Sequence, residues 1–265
     1  YQCLSEREGD RVMFKFFICF IAGIGAGLGT GFAGMSAAAV ISPRLITFLG
    51  LPAYEAVGIA LASDVLASAI SAYTYGKNKN LDIRNSLVMM VTVLIFTLVG
   101  SFAASHVPNT TMGSFSVFMT LILGIKFIVK PVMMTKETMQ AVSGKKRIIQ
   151  SVASGIVVGF ICGFVGAGGG MMMLLLLTSL LGYELKTAVG TSVFIMAFTA
   201  FTGAVSHFAI GGMPDVWCLL FCVASTLLWA RIAAKFANKA SAATLNRATG
   251  VVLAVLGVVI LTVNY

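Results

Sequence analysis

Gly163-Phe164-Val165-Gly166-Ala167-Gly168-Gly169-Gly170 lies between two apolar runs, and a fainter copy, Gly31-Phe32-Ala33-Gly34-Met35-Ser36, stands 132 residues earlier. Glycine costs a helix interior about 1 kcal/mol relative to alanine. Four glycines within the five positions 166–170 therefore interrupt a helical path. Inside a bilayer the backbone groups freed by such a break must be buried in protein or line a cavity. The stretch is a candidate binding site on that ground alone.

The surrounding composition supplies the bilayer. Of 265 residues 58% are hydrophobic and only 10% charged, with a mean hydropathy of +0.99. Soluble domains carry about 25% charged residues, so the chain reads as an all-α polytopic membrane protein. Its net charge of +9 comes from 18 basic and 9 acidic residues. Basic residues gathered in loops at membrane ends report orientation, and with no aromatic-interleaved basic patch, nucleic acid is not an expected partner. The lipid bilayer is. Cys3, Cys19, Cys162, Cys218 and Cys222 form no metal-ligand spacing and read as small apolar residues. No cofactor or metal is expected. The run from Val12 lacks a small-residue cleavage site and continues past Gly31, which reads as a first span and not a signal peptide.

A span takes about 20 apolar residues, fewer where it is discontinuous. The candidates are 12–33, 35–50, 53–75, 85–105 and 112–130, then 148–166, 168–182, 185–209, 215–234 and 245–263. The second member of each set is short and follows a glycine break. Interrupted segments at corresponding places in two halves point to a transporter binding site. Aligning 23–58 with 155–190 without gaps gives 12 identities in 36 positions. They include Gly23/Gly155, Gly27/Gly159 and Gly31/Gly163, a small-xxx-small ladder of the kind that lets helix backbones approach closely. Gly34/Gly166 and Ala56-Val57-Gly58/Ala188-Val189-Gly190 follow.

Loop charge sets the symmetry. Lys77, Lys79 and Arg84 mark one loop as cytoplasmic, while its counterpart, 211–215, has no basic residue. The loop at 106–111 has none either, and its counterpart carries Arg231, Lys235, Lys239 and Arg247. The linker holds Lys130, Lys136, Lys145, Lys146 and Arg147. Every basic loop falls inside only if the short segments cross, giving five spans per half. Odd-numbered halves must be inverted. The expected organisation is an N-terminal repeat over 1–134, a basic cytoplasmic linker over 135–147 and a C-terminal repeat over 148–265, with both termini outside the cell membrane. Whether 35–50 and 168–182 cross fully or re-enter is not fixed by charge alone.

At Gly166, Gly168, Gly169 and Gly170 the backbone N–H groups opening a short helix would face the midplane, where helix N-termini favour anions. Inverted duplication would place Gly34 and Ser36 on the opposite side of the same cavity. The alternative is tight packing, in which glycine only removes bulk. Thr191 and Ser192 can donate hydroxyl bonds to an anion, or merely bond their own helix. Asp64 sits 11 residues from either end of span 53–75, and a mid-membrane carboxylate costs about 2.5–3.5 kcal/mol on insertion scales. Two roles stand open: a proton-coupling acid, or a structural pair with Arg44. Arg44 could instead reach the substrate as a fixed counter-charge. Lys126 reads as snorkelling to an interface, and the fourteen methionines as apolar filler. Gly29-Thr30-Gly31-Phe32-Ala33-Gly34 fits the dinucleotide fingerprint, but ends a membrane helix without a preceding strand, so it is set aside.

With these motifs the chain resembles the TauE/SafE family of sulfite and organosulfonate transporters. The likeness covers essentially the whole chain and is most specific at 163–170 and at Ala188-Val189-Gly190-Thr191-Ser192. It implies a helical-bundle secondary transporter that holds a small sulfur-containing anion, such as sulfite, thiosulfate or a sulfonate, near the repeat interface. In the first half Ser36-Ala37-Ala38 stands where a second glycine run is often found, and Ile59-Ala60 replaces the usual Thr-Ser. A passive small-anion channel and a carboxylate transporter are the nearest alternatives. An enzyme is not expected: the chain has two histidines and no His-Glu-x-x-His helix. The expected partner is the small anionic substrate, with a homodimer left open.

Overall fold

α1 (Gln2–Ala33) runs straight into the first glycine break, and α2 (Ala38–Leu49) resumes beyond it. α3 (Ala53–Lys77), α4 (Ile83–Ala104), α5 (Gly144–Val165), α6 (Gly169–Ser179), α7 (Leu185–Gly211), α8 (Val216–Lys239) and α9 (Ala242–Asn264) follow. The computed structural model describes residues 2–104, 125–126, 128–131, 144–165, 169–211 and 213–264, and among these residues no strand occurs. Nine of the ten expected segments coincide with helices. The tenth, 112–130, lies outside the described residues except at 125–126 and 128–130.

Among the described residues five helices contain stretches long and apolar enough to cross a bilayer: Val12–Ala33, Glu55–Lys77, Leu185–Ala209, Val216–Lys239 and Ala242–Val259. Ala38–Leu49, Ile83–Val99 and Gly170–Ser179 are shorter apolar helices. An apolar core is buried, but the outer surface is apolar as well. Large apolar side chains such as Phe14, Leu98, Phe201 and Val255 face outward, while Ser63, Asp64, Ser68, Ser71 and Thr226 are buried. Lipid supplies no hydrophobic drive between helices, so their contacts are made by small and polar residues. The molecule is a multi-pass membrane protein. α1 begins ten residues ahead of the expected Val12. The polar segment Ser5-Glu6-Arg7-Glu8 is mostly good helix former and extends the span instead of ending it.

The glycine ladders bury against helices of the opposite half. A Cβ on Gly23 would lie 2.5 Å from Ser225 Cβ, one on Gly27 would lie 2.6 Å from the Thr226 carbonyl, and one on Gly31 would lie 2.5 Å from Ala233 Cβ. All three contacts are with α8. On α5, a Cβ on Gly159 would lie 2.6 Å from the Val93 carbonyl of α4, and one on Gly155 would lie 2.8 Å from Thr92 Cβ. α1 with α8 and α4 with α5 are thus close-packed pairs, and α3 packs along α7. Both short helices end alike. Gly50 and Gly182 each adopt φ +64°, and Leu51 and Tyr183 donate back to the carbonyls of Leu45 and Leu177 at 3.3 and 2.9 Å. This six-residue closure is how a left-handed glycine satisfies the last carbonyls of a helix.

Candidate functional site at the helix breaks

The first break is built by its own backbone. Gly34 takes φ +61°, a conformation costing other residues roughly 1–2 kcal/mol. Its N–H reaches the Thr30 carbonyl at 3.0 Å, and Thr30 Oγ1 donates to the Met35 carbonyl at 3.0 Å. The first turn of α6 packs onto it. A Cβ on Gly170 would lie 2.5 Å from the Gly34 carbonyl oxygen and 3.0 Å from both Met35 Cα and Ser36 N. Ser192 Oγ donates to the Gly34 carbonyl at 2.9 Å, with the Gly170 carbonyl at 3.4 Å. One hydroxyl of α7 therefore joins the first break to the first turn of α6. Gly34, Ser36, Gly170 and Ser192 lie together here. Gly169 opens α6, whereas Gly166 and Gly168 lie outside the described residues. Thr191 is buried beside Ser192, and its hydroxyl has no hydrogen-bond partner among the described residues.

Asp64 is the centre of the polar contacts. Ser36 Oγ donates to its Oδ2 at 2.7 Å and Ser68 Oγ to its Oδ1 at 2.8 Å, and the Ala37 N–H also reaches it. Hydrogen bonds to a charged group contribute about 1.5–3 kcal/mol each. The two from Ser36 and Ser68 offset the ~2.5–3.5 kcal/mol of placing a carboxylate there. The carboxylate also sits at the opening of α2, where the helix dipole favours negative charge. The α2 end thus faces a carboxyl group supplied by the chain itself. At the matching place in α7 the residue is Met196, which is buried and carries no charge.

The structural pair of Asp64 with Arg44 does not form. Arg44 is buried two turns into α2, and its Nη1 donates to the Val40 carbonyl at 2.5 Å. Helical side chains lean toward the N-terminus, which keeps the guanidinium on its own helix, one turn from the break. The ion pair among the described residues is Lys15 with Asp215, at the far end of α1 and α8. There Glu55 Oε1 accepts from the Asp215 N–H at 2.7 Å, joining α3 to the same corner. No group of three His, Cys, Asp or Glu among the described residues could hold a metal ion.

The opposite end is closed more tightly. Gly190 packs directly under the Asn80 carbonyl, and its Cβ would lie 2.9 Å from Tyr75 Cβ. Tyr75 Oη donates to the Gly31 carbonyl at 2.8 Å, Asn80 Nδ2 to Asn238 Oδ1 at 2.6 Å, and Tyr183 Oη to Asp82 Oδ2 at 2.8 Å. At the corresponding Gly58 the nearest atoms, from Phe208 and His207, stand at 3.1 and 3.3 Å. Sequence reasoning did not single out Ser68, Ser71 or Asn80. The signal for the serines was present: Asp64, Ser68, Ser71 and Tyr75 recur at helical spacing within an apolar segment.

Known proteins give the family. The sulfite exporter TauE/SafE model matches residues 19–260. The chain is 21% identical to the "Probable membrane transporter protein YdhB" of Bacillus subtilis, over 89% of this chain and 96% of that one. YunE of the same organism, also described as a probable membrane transporter protein, is 24% identical over 77% and 85%. A third protein of that description, MJ0441 of Methanocaldococcus jannaschii, is 26% identical over 72% and 69%. On a match that spans nearly all of it, the chain belongs to the TauE/SafE family of membrane transporters.

Proposed function

We propose that the chain is a secondary transporter of a small sulfur-containing anion across the cytoplasmic membrane, working by alternating access around the joined breaks. The observation that carries this is the meeting of two interrupted helices at a buried point held by Ser192. Backbone donors open both helices, and among the described residues the α2 opening has the carboxyl group of Asp64 on it. The cargo therefore binds at the α6 opening, on Gly166, Gly168, Gly169 and Gly170, with Thr191 and Ser192 beside it and Gly34 and Ser36 across from it. Arg44, one turn away, contributes positive potential. Asp64 is the coupling acid, exchanging a proton during the cycle. The class of cargo rests on the family's description as sulfite exporters and includes sulfite, thiosulfate and organosulfonates.

Inverted repeats of five spans, ten crossings in all, are supported by the exchange symmetry of the packing. α1 on α8 corresponds to α5 on α4, and α2 on α3 to α6 on α7. Gly50 and Gly182 share one φ. Looser packing at Gly58 than at Gly190 supports a conformer closed at the Lys77 end, with both termini on the other, outer side. The Asp64 carboxylate on the α2 opening favours one second reading, a carboxylate cargo.

A thermal-shift panel on purified protein tests the assignment. A ligand at about 100 times its Kd adds about 2.7 kcal/mol to a native state that alone binds it. Stabilisation by a sulfur anion, lost in Gly169→Leu, is expected. Stabilisation by acetate and not by sulfite, thiosulfate or taurine would overturn the cargo class.

A further inference from the structure

α3 carries a polar stripe that the anion site does not use. Asp64, Ser68, Ser71 and Tyr75 follow one another at intervals of four, three and four residues, which puts them within an arc of about 60° over about 16 Å of helix. All four are fully buried. The stripe runs in one direction only. From Asp64 toward the other end of α3, the same face carries Ala60 and Val57. The matching positions on α7 are Met196, Ala200, Gly203 and His207, so the repeat does not account for it.

The hydroxyls on the stripe are also bonded unusually. Ser63 and Thr74, elsewhere on α3, donate to the carbonyls four residues back, at 2.9 and 2.8 Å. Ser68 donates to Asp64 instead. Ser71 has no hydrogen-bond partner among the described residues, although the Ala67 carbonyl lies in the usual place. A buried hydroxyl left unmatched costs about 1–3 kcal/mol, and a water needs two or more such polar neighbours to settle. Tyr75 Oη, one turn on, donates to Gly31 and keeps lone pairs free.

We propose that this stripe is a proton path linking Asp64 to the Lys77 end of α3, with Ser68, Ser71 and Tyr75 as its stations and single waters between them. The inference rests on the reading of Asp64 as the coupling acid. Once the Ser68 hydroxyl has turned from Asp64 toward Ser71, Asp64 passes its proton to the Ser68 oxygen, which releases its own to the next station. Each hydroxyl gains one O–H bond as it gives up another, and Tyr75 releases its proton toward the Lys77 end when its bond to Gly31 opens with that end of the molecule. No electrons move. Other titratable groups do not intrude on the stripe. On α2 Arg44 turns to Val40. On α8 the buried face offers only Cys218 and Cys222, with Asp215 at the far end and Arg231 and Lys235 exposed. α1 contributes Lys15 at the far end, and α7 contributes His207 there and Lys186 near its start, the latter bonded to the Asn238 carbonyl.

The test uses proteoliposomes, comparing uptake driven by a pH gradient with counterflow of labelled thiosulfate at equal pH. Ser71→Ala is expected to slow gradient-driven uptake about tenfold more than counterflow. Ser71→Thr restores it, and Ser63→Ala, off the stripe, changes neither. Wild-type ratios in both Ser68→Ala and Ser71→Ala would overturn the path, while a loss of gradient dependence in Asp64→Asn would leave the coupling role standing. Unchanged gradient dependence in Asp64→Asn would overturn both.

Discussion

Replacing Gly170 with alanine puts a Cβ 2.5 Å from the Gly34 carbonyl and 3.0 Å from Met35 Cα and Ser36 N. All three are backbone atoms, so no rotamer change relieves the clash. Ordinary contact begins at 3.4 Å, and 3.4 − 2.5 leaves 0.9 Å to be found by moving one break away from the other. Overpacking of this kind costs about 1–3 kcal/mol. Pulling Gly34 from Ser192 Oγ, now at 2.9 Å, adds about 1 kcal/mol. The better helix propensity of alanine returns about 1 kcal/mol. The net expectation is a loss of about 1–3 kcal/mol, and the proposed site at the helix breaks predicts that transport is lost with it. Gly25→Ala is the control: its Cβ would meet only the methyl tips of Leu256 and Val40, at 3.0 and 3.3 Å, and those can rotate. Unfolding of both variants in the same detergent, followed by transport in liposomes, gives the comparison. Gly170→Ala proving as stable and as active as Gly25→Ala would refute the reasoning.

Gly50→Ala and Gly182→Ala should each cost about 1–2 kcal/mol for backbone strain. Their equal φ predicts similar losses, and a melting-temperature comparison of the two checks this. At the Lys15 corner, burial pushes the Asp215 carboxyl up, but the Lys15 ammonium and the Cys218 and Trp217 N–H groups outweigh it and hold it below its ordinary value of 3.8. A depressed acid stabilises above its unfolded value and loses that contribution as pH falls through the folded one. Asp215→Asn should therefore lower the melting temperature by the same amount from pH 8 to 5, and the gap should close below about pH 4.

What the sequence revealed of this molecule follows from which signals are local. Glycines in register at 23/155, 27/159 and 31/163 marked close approach, because only the absence of a side chain allows it. They could not say that each ladder packs on a helix of the other half, since Ser225 and Val93 are distant in the chain. Asp64 was conspicuous as a charge in an apolar span, but the partner first considered for it, Arg44, was chosen by charge alone. Side-chain direction and two intervening turns send Arg44 to Val40, and the acid is met by neutral donors from both sides. One of them, Ser68, stood four residues away and was readable from helical spacing. The plug at Asn80 was not readable, because a turn residue shows its role only once Gly190 and Asn238 are folded against it.

Counterflow in proteoliposomes tests the central claim most directly. Vesicles loaded with unlabelled sulfite or thiosulfate should draw in the labelled anion transiently and saturably, and the overshoot should vanish in Gly169→Leu. A flux that rises linearly with concentration and shows no acceleration by internal anion would mean an open pore, and would contradict alternating access at the joined breaks.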